Sequence, residues 1–529
     1  MSMDRARRQS LGDIPRRSAA RFPRRTAVVH RTVRLTFAEF DAMVDRFAAA
    51  LHGTGLRRGD TLALLSHNCW QFPVLAFATA RLGVVLVPIN FMLTGGEVAY
   101  ILDDCEADAL VVEDALVPVA QQALEISGAR VRMLAVIRLA GGAPPVGWDD
   151  VDGWADADPA AAPDVEVGDD DVIRIMYTSG TESRPKGVML TSRCLMWQYL
   201  SCIVTGGMAA DDVEVHAMPL YHCAQLDNFL STDLYLGATS IILDRPESAA
   251  MLRAIETERA TNLFAPPTVW ISLLRSPEFA TADLSSLRKG YYGASALPTE
   301  VLAAMRRRMP DLRLWNFYGQ TEMASLATAL GPDDQDRRAG SAGLAALNVE
   351  TRVVDEAGRP LPPGEVGEIV HRSPQATVGY HRDPTKTAQA FRGGWFHSGD
   401  LGYLDDEGYL WVVDRKKDMI KTGGENVASR EVEETIHGLA GVAEVAVFGV
   451  PDECWIEAVT AVVVPTGDVE LDERRVVEHC RGRLAGFKVP RHVLFADALP
   501  KNPSGKILKR ELRERFAATA EPSPAPERR

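Results

Sequence analysis

Residues 172–190 read Val172-Ile173-Arg174-Ile175-Met176-Tyr177-Thr178-Ser179-Gly180-Thr181-Glu182-Ser183-Arg184-Pro185-Lys186-Gly187-Val188-Met189-Leu190. The pattern is an apolar run, a turn of hydroxyls and glycines carrying one lysine, and a second apolar run, which predicts strand, loop and strand. A loop of this kind suits a polyphosphate. Small residues let backbone N–H groups converge, Thr178, Ser179 and Thr181 add hydroxyl donors, and Lys186 adds charge. Pro185 stiffens the exit. The Walker pattern is excluded, because there the lysine opens a helix, whereas Lys186 here leads into Gly187-Val188-Met189-Leu190. Alone, the same composition also describes an ordinary surface turn.

At 529 residues the chain exceeds what one core organises, so two or more domains are expected. The net charge of −14 is mostly local: positions 149–171 hold ten carboxylates and no Lys or Arg, leaving about −4 for the rest. That Asp/Ala/Pro/Gly stretch reads as a solvated connector, and no attraction to nucleic acid follows. The first 25 residues carry eight arginines. No apolar segment follows them, Asp4 and Asp13 interrupt them, and 14–22 reads as an amphipathic helix rather than a targeting arm. The longest apolar stretch, 73–90, is broken by Arg81 and Gly83, so it does not span a bilayer. The seven cysteines, Cys69, Cys105, Cys194, Cys202, Cys223, Cys454 and Cys480, form no close metal-type pairs. Reduced thiols and a soluble, cytoplasmic protein are the expectation.

Strand-like runs at 62–65, 84–88, 109–112 and 133–139 alternate with helical segments such as 70–82, which argues for βαβ units in an α/β domain. The pattern resumes after the connector at 214–220, 239–243, 262–265 and 312–317. Chemistry in such folds gathers at strand ends. The last hundred-odd residues change character, with a helix over 429–436, strands over 443–450 and 458–465, and a basic end. They read as a small α+β domain. Domains are placed at 1–414 and 415–516, with a disordered tail over 517–529.

Four further motifs fall where strands end. Trp315-Asn316-Phe317-Tyr318-Gly319-Gln320-Thr321-Glu322 offers an aromatic face, a hydroxyl and a carboxylate, which a nucleotide needs for its base, its α-phosphate and its Mg²⁺. Trp395-Phe396-His397-Ser398-Gly399-Asp400 places a carboxylate after a tight turn, suited to ribose hydroxyls. Asp414-Arg415-Lys416-Lys417-Asp418 precedes Lys421-Thr422-Gly423-Gly424-Glu425, a charged joint and a glycine loop. Pro500-Lys501-Asn502-Pro503-Ser504-Gly505-Lys506 holds one lysine at a turn.

These five motifs, in this order, resemble the adenylate-forming superfamily of acyl-CoA synthetases, carrier-loading adenylation domains and firefly-type luciferases, over about 14–516. The resemblance implies that a carboxylate attacks the α-phosphate of ATP to give an acyl-adenylate and pyrophosphate, and that a thiol such as CoA then displaces AMP. By matching, Thr178, Ser179, Gly180, Thr181 and Lys186 would hold the departing phosphates. Gly293, Ala294, Ser295 and Tyr318, with Gly319 and Gln320, would enclose adenine. Thr321 would bind the α-phosphate, Glu322 and Thr178 the Mg²⁺, and Asp400 and Arg415 the ribose. Lys506 would bridge the acid and the α-phosphate, where negative charge accumulates. The family turns its small domain about the residue two past the arginine, here Lys417, and Gly423 and Gly424 would then line the thiol tunnel, with Lys421 assisting.

His222, in Pro219-Leu220-Tyr221-His222, matches a position beside the acid pocket, where it gates access or serves as a structural histidine. Gln225, Asp227 and Asn228, with Trp197, Tyr291 and Tyr292, line the acyl pocket or pack it. Glu182-Ser183 departs from the Thr-Gly of many relatives, and Glu182 is expected to face solvent or a cation. The resemblance implies a carboxylic acid:CoA ligase for a fatty or aryl acid. The alternative is an adenylating enzyme whose acceptor is a carrier pantetheine, an amine or another nucleophile, including one that activates a small oxyanion such as nitrite. A nucleotide-binding sensor is disfavoured because Glu322 and Lys506 are both kept.

Overall fold

The computed structural model describes residues 6–178, 185–293, 297, 299–422, 425–452, 455–467, 469–501 and 507–519. Two compact units emerge, Met1–Thr351 with His371–Phe396, and Arg352–Val370 with His397–Arg529.

The first unit is built on two large sheets. In the eight-stranded sheet, Thr61–Leu65 lies between Val85–Ile89 and Ala109–Glu113, all parallel and buried along their whole length. Strands covered on both faces read as unbroken apolar runs, which is how they appear in the sequence. Val172–Thr178 joins this sheet parallel to Val85–Ile89 and then turns antiparallel into Lys186–Thr191. The nine-stranded sheet carries Val213–His216, Thr239–Ile242, Asn262–Phe264, Lys289–Gly293 and Arg313–Gln320 in parallel order before Ser325–Leu330 closes it antiparallel. The strand expected over 214–220 therefore ends at His216.

One core cluster unites Val28 and Ile242 of the nine-stranded sheet, Leu64 and Val188 of the eight-stranded sheet, and the helices Phe37–Gly53, Gln71–Leu82 and Ser192–Gly206. Every residue of Gln71–Leu82 is buried. Arg81 tolerates this because it pairs with Asp41 at 2.7 Å and with Asp45. The apolar stretch over 73–90 is thus core, and among the described residues no helix is long and apolar enough to cross a membrane. A second buried charge, Arg174, pairs with Asp227, which also accepts a hydrogen bond from the Tyr199 hydroxyl at 3.1 Å. Six of the seven cysteines lie among the described residues, all buried and all free. Burial pushes the thiols of Cys69 and Cys105 up to about 12 and that of Cys223 up to about 11.

The acidic segment over 149–171 is not a solvated connector. Asp149–Asp150 adds an edge strand to the eight-stranded sheet, and Val151, Trp154 and Val167 are buried beneath it. Its carboxylates meet Arg138 (Asp150, 3.0 Å), Arg193 (Asp170, 2.6 Å) and Arg58 (Asp171, 2.7 Å). A few apolar anchors among acids that find basic partners make a strap, and composition alone does not show the anchors.

The second unit centres on the long antiparallel pair Val442–Asp452 and Ile456–Pro465. Alternation divides it between two layers. Val445 and Val447 pack with Val432, Ile436, Val476 and Cys480 from the helices Ser429–His437 and Glu473–Arg481, while Ala446 and Phe448 pack with Leu512 of Lys509–Thr519. The last helix runs to Thr519, so the segment read as a tail from 517 begins helical. The same unit includes 352–370 and 397–414.

Because Arg174 and Asp227 are buried together, removing one leaves an uncompensated charge. Asp227→Asn is expected to cost about 3–5 kcal/mol in urea unfolding, and Arg174→Met with Asp227→Leu to recover most of that loss. Equal stability of the single variant and the parent would overturn this assignment.

Candidate functional site

In the first unit, the strand pairing sets Thr178 opposite Lys186, so both ends of the predicted phosphate loop are fixed. Two phenols pin them further. The Tyr177 hydroxyl donates to Asp104 at 2.5 Å, and the Tyr100 hydroxyl donates to the Pro185 carbonyl at 3.2 Å. Ser179, Gly180, Thr181, Glu182 and Ser183 lie outside the described residues. Past the loop, the short strand Gly379–Tyr380 pairs with Lys186–Thr191, and a Cβ on Gly187 would come within 2.7 Å of Ile175 Cγ2, which favours glycine there.

Tyr380 is the residue that sequence reasoning missed. Its ring centroid lies 5.5 Å from Lys186 Nζ, and its hydroxyl donates to Glu322 Oε1 at 2.8 Å. The Thr377 N–H donates to the Glu322 carbonyl at 2.8 Å. Burial, with the Glu322 charge beside it, pushes the Tyr380 phenol well above its usual range, so it remains a donor. One side chain thereby couples the lysine of the first motif to the carboxylate of the second. The available signal was the Thr377-Val378-Gly379-Tyr380 turn, which stands apart from all five motifs.

The second motif is shaped by close backbone approach. A Cβ on Gly293 would lie 2.5 Å from the Phe317 carbonyl, and one on Gly319 would overlap the Ser325 carbonyl. Tyr318 is half-buried, accepts from Gln320 Nε2 at 2.8 Å, and stands 6.1 Å from the His371 ring. Burial drives His371 down to about 3, so it faces Tyr318 as a neutral ring. The chain then makes a tight turn over Thr321–Met323, with Ala324 at φ 66°. Thr321 is buried, and its hydroxyl lies 3.3 Å from Cys223 Sγ. Ala294 and Ser295 lie outside the described residues.

His222 is half-buried and immediately precedes Cys223 and a π-helix over Ala224–Leu230, whose wide turn no periodicity in the sequence announced. Beside it Tyr221 packs 5.4 Å from Phe91, which stacks 3.9 Å from His67, and His67 in turn contacts Glu113 at 2.8 Å. Three residues expected to line or pack the acid pocket have these surroundings. Asp227 is held by Arg174 in the core, and Tyr292 is buried with its hydroxyl donating to Gln335 at 2.9 Å. Trp197 sits on the outer face of its helix, 39% exposed, while Gln198, Tyr199 and Cys202 turn inward. Helical phase explains this last difference: the buried positions place Trp197 on the opposite side.

In the second unit, Asp400 and Arg415 are register partners on adjacent antiparallel strands, joined at 3.2 Å. Asp400 is buried and follows Gly399, which has φ 71°. Lys416 and Lys417 occupy an exposed turn, with Lys416 Nζ 3.5 Å from Glu368. Lys421 is exposed, and the strands Ile420–Thr422 and Glu425–Val427 pair Thr422 with Glu425 around Gly423 and Gly424, which lie outside the described residues. Lys506 also lies outside them, between Lys501 and Ile507, which form a single antiparallel bridge.

A hydroxyl-bearing strand end at Thr178 and a carboxylate oriented by Tyr380 are hard oxygen donors, a set that fits Mg²⁺. Three comparisons bear on the whole arrangement. The AMP-binding enzyme family matches residues 15–381, and the AMP-binding enzyme C-terminal domain matches 431–506. The chain is 39% identical to a feruloyl-CoA synthase of Amycolatopsis sp over 96% of its own length and 100% of that protein, and 36% identical to an indoleacetate–CoA ligase of Aromatoleum aromaticum over 95% and 96%. The crystal structure of ATP-bound MatB from Rhodopseudomonas palustris superposes with a TM-score of 0.85 at 32% identity, covering 96% of this chain and 99% of that one.

Tyr380→Phe removes the bond to Glu322 while keeping the ring against Lys186. It is expected to weaken Mg²⁺-nucleotide binding about tenfold, the loss of roughly one charge-assisted hydrogen bond, with unfolding stability nearly unchanged. Calorimetric titration with Mg²⁺-ATP checks this, and unaltered affinity would dismiss the coupling.

Proposed function

We propose that this chain, which belongs to the AMP-binding enzyme family, is an AMP-forming acid–CoA ligase acting on an aryl or fatty carboxylic acid. The observation that carries the proposal is the Tyr380 junction, which ties the phosphate-loop lysine to Glu322 in a chain aligned almost end to end with acid–CoA ligases.

In the first half-reaction an acid carboxylate oxygen bonds to the α-phosphorus of ATP, and the bond from that phosphorus to the bridging oxygen breaks, releasing pyrophosphate. Charge builds on the departing phosphates, and Lys186 with the Thr178 hydroxyl stands at the loop ends to receive it. Mg²⁺ bound through Glu322 and Thr178 would offset further phosphate charge. Gly293 and Tyr318 are assigned to adenine, Thr321 to the α-phosphate, and Asp400, paired with Arg415, to the ribose hydroxyls. Lys506 serves the first half-reaction by bringing positive charge to two converging anions. In the second half-reaction the CoA sulfur bonds to the acyl carbon and AMP departs. Lys417, in its exposed turn, is the pivot for the C-terminal domain between the two steps, and Lys421, Gly423 and Gly424 serve the thiol step.

The aryl preference rests on the aromatic acids named for two relatives and on the rings beside His222, where Tyr221 and Phe91 present faces that an aryl group can meet edge-on or stacked. His222 gates the acid from the thiol. A cytoplasmic location accords with the use of ATP and CoA and with the free thiols.

The test is acid-dependent ATP–pyrophosphate exchange across aryl, fatty and short-chain acids, followed by addition of CoA to the best acid. Exchange with an aryl acid and formation of its thioester are expected. AMP release without a thioester would sink the CoA assignment in favour of another acceptor, and no exchange with any acid would point to an unusual oxyanion. Lys506→Ala is expected to lower adenylation by at least about a hundredfold while sparing thioester formation from supplied acyl-adenylate. Equal losses in both half-reactions would contradict its assigned step.

A further inference from the structure

Beneath the nine-stranded sheet lies a buried polar cluster that none of the preceding chemistry uses. Glu214 and His216 are two apart on the strand Val213–His216, so their side chains leave the same face. Ser240 and Asn262 are the register partners of Glu214 on the two neighbouring strands. Asp233 comes from the helix Ser231–Leu236. All five side chains are fully buried.

Their polar atoms are unsatisfied to an unusual degree. Both oxygens of Glu214, both of Asp233, His216 Nε2, Ser240 Oγ and Asn262 Nδ2 have no hydrogen-bond partner outside the cluster, where Asp233 lies within reach of His216 and Glu214. Lys289, the cation that acts on Glu214, is itself engaged by Asp212 at 2.7 Å and by the Gly207 carbonyl at 2.7 Å. Two carboxylates removed from water, with one histidine beside them and a lysine already engaged by Asp212, cost several kcal/mol, so such a group is paired, protonated or bound to a metal in a folded protein.

The geometry favours the metal. One ligand atom each from Glu214, His216 and Asp233 can be chosen so that all lie within 4.8 Å of one another. His216 Nε2 stands 3.2 Å from Asp233 Oδ2. Neighbouring ligands of an ion held at about 2.1 Å lie roughly 3 Å apart in this way. We propose that Glu214, His216 and Asp233 form a buried structural site for a divalent transition-metal ion, Zn²⁺ foremost, that ties the strand Val213–His216 to the helix Ser231–Leu236. An imidazole with two carboxylates selects this class over Mg²⁺, which keeps oxygen ligands and water. The site shares no residue with the proposed nucleotide magnesium, and it stands or falls independently of the ligase assignment.

Gln225 completes the second layer. Its Nε2 lies 2.7 Å from His216 Nδ1 while its Oε1 accepts from the Met218 N–H at 3.2 Å. With an ion on Nε2, the imidazole proton moves to Nδ1 and the amide must turn to present its oxygen there, which gives up the bond from the Met218 N–H as part of the cost of binding. Because Gln225 lies in the first turn of the π-helix Ala224–Leu230, the ion would also anchor the base of that helix.

Full-length protein from cells grown with Zn²⁺, Mn²⁺, Fe²⁺ and Co²⁺ is desalted, and its metals are measured by mass spectrometry. About one transition-metal ion per chain is expected, retained until the protein is unfolded in chelator, with at least about a tenfold loss of bound metal in His216→Gln and Glu214→Gln. Where a variant fails to fold, the parent protein decides the matter: after unfolding in chelator, refolding with Zn²⁺ should restore one ion and the original melting temperature, and refolding without it should not. No bound metal in the parent protein by either route would overturn the site and leave the carboxyl pair holding a proton. Full metal content in a folded His216→Gln variant would overturn it equally.

Discussion

Two large sheets must bring their ends together to within a hydrogen bond, and one tyrosine does it. Tyr380 belongs to a strand of the eight-stranded sheet, and Glu322 follows a strand of the nine-stranded sheet. Their 2.8 Å contact fixes the spacing between the sheet that carries the phosphate-loop lysine and the sheet that carries the aromatic motif. Movement of either sheet by an ångström would part a lysine and a carboxylate that must act on the same polyphosphate. The helix Gln71–Leu82, buried along its whole length in the core that both sheets share, supplies the stiffness that makes such a tolerance possible.

Much of this was legible in the chain, and the reason lies in what each motif depends on. The strands at 62–65 and 109–112 are central and parallel, so burial on both faces writes a continuous apolar signature. The hairpin around 177–187 announces itself because hydroxyls and glycines interrupt two such runs. Gly293 and Gly319 are dictated by neighbouring carbonyls, and the sequence records the outcome of that crowding as a missing side chain. Tyr380 was invisible for the opposite reason. Its importance comes from a partner 58 residues away, and nothing local distinguishes it from tyrosines of other short edge strands. For Trp197 and Tyr292 the sequence left lining and packing open; helix phase sets Trp197 on an exposed face, and Tyr292 is buried with its hydroxyl on Gln335. The π-helix over Ala224–Leu230 follows no apolar period.

Charge burial is a second theme that composition concealed. The excess of acids over 149–171 suggested a segment dissolved in water, yet three arginines and three apolar anchors fasten it down. Arg81 and Arg174 lie among apolar side chains because carboxylates reach them there. Glu214 and Asp233 are the exception, two acids buried together with one histidine beside them and a lysine that Asp212 already holds. An isolated sequence reports how many charges a chain carries; the fold alone reports which of them have been made to face one another.

The buried cysteines have a consequence for the company this protein keeps. Thiol–disulfide exchange requires a thiolate, and at neutral pH a thiol held near 11 offers it in only about one molecule in ten thousand. Cys223 sits beside Thr321, the residue assigned to the α-phosphate, and is next in sequence to His222. If a small thiol reaches this neighbourhood as its disulfide, Cys223 is too seldom a thiolate to attack the sulfur–sulfur bond and expel the other half as thiolate, so mixed disulfides at this position form slowly.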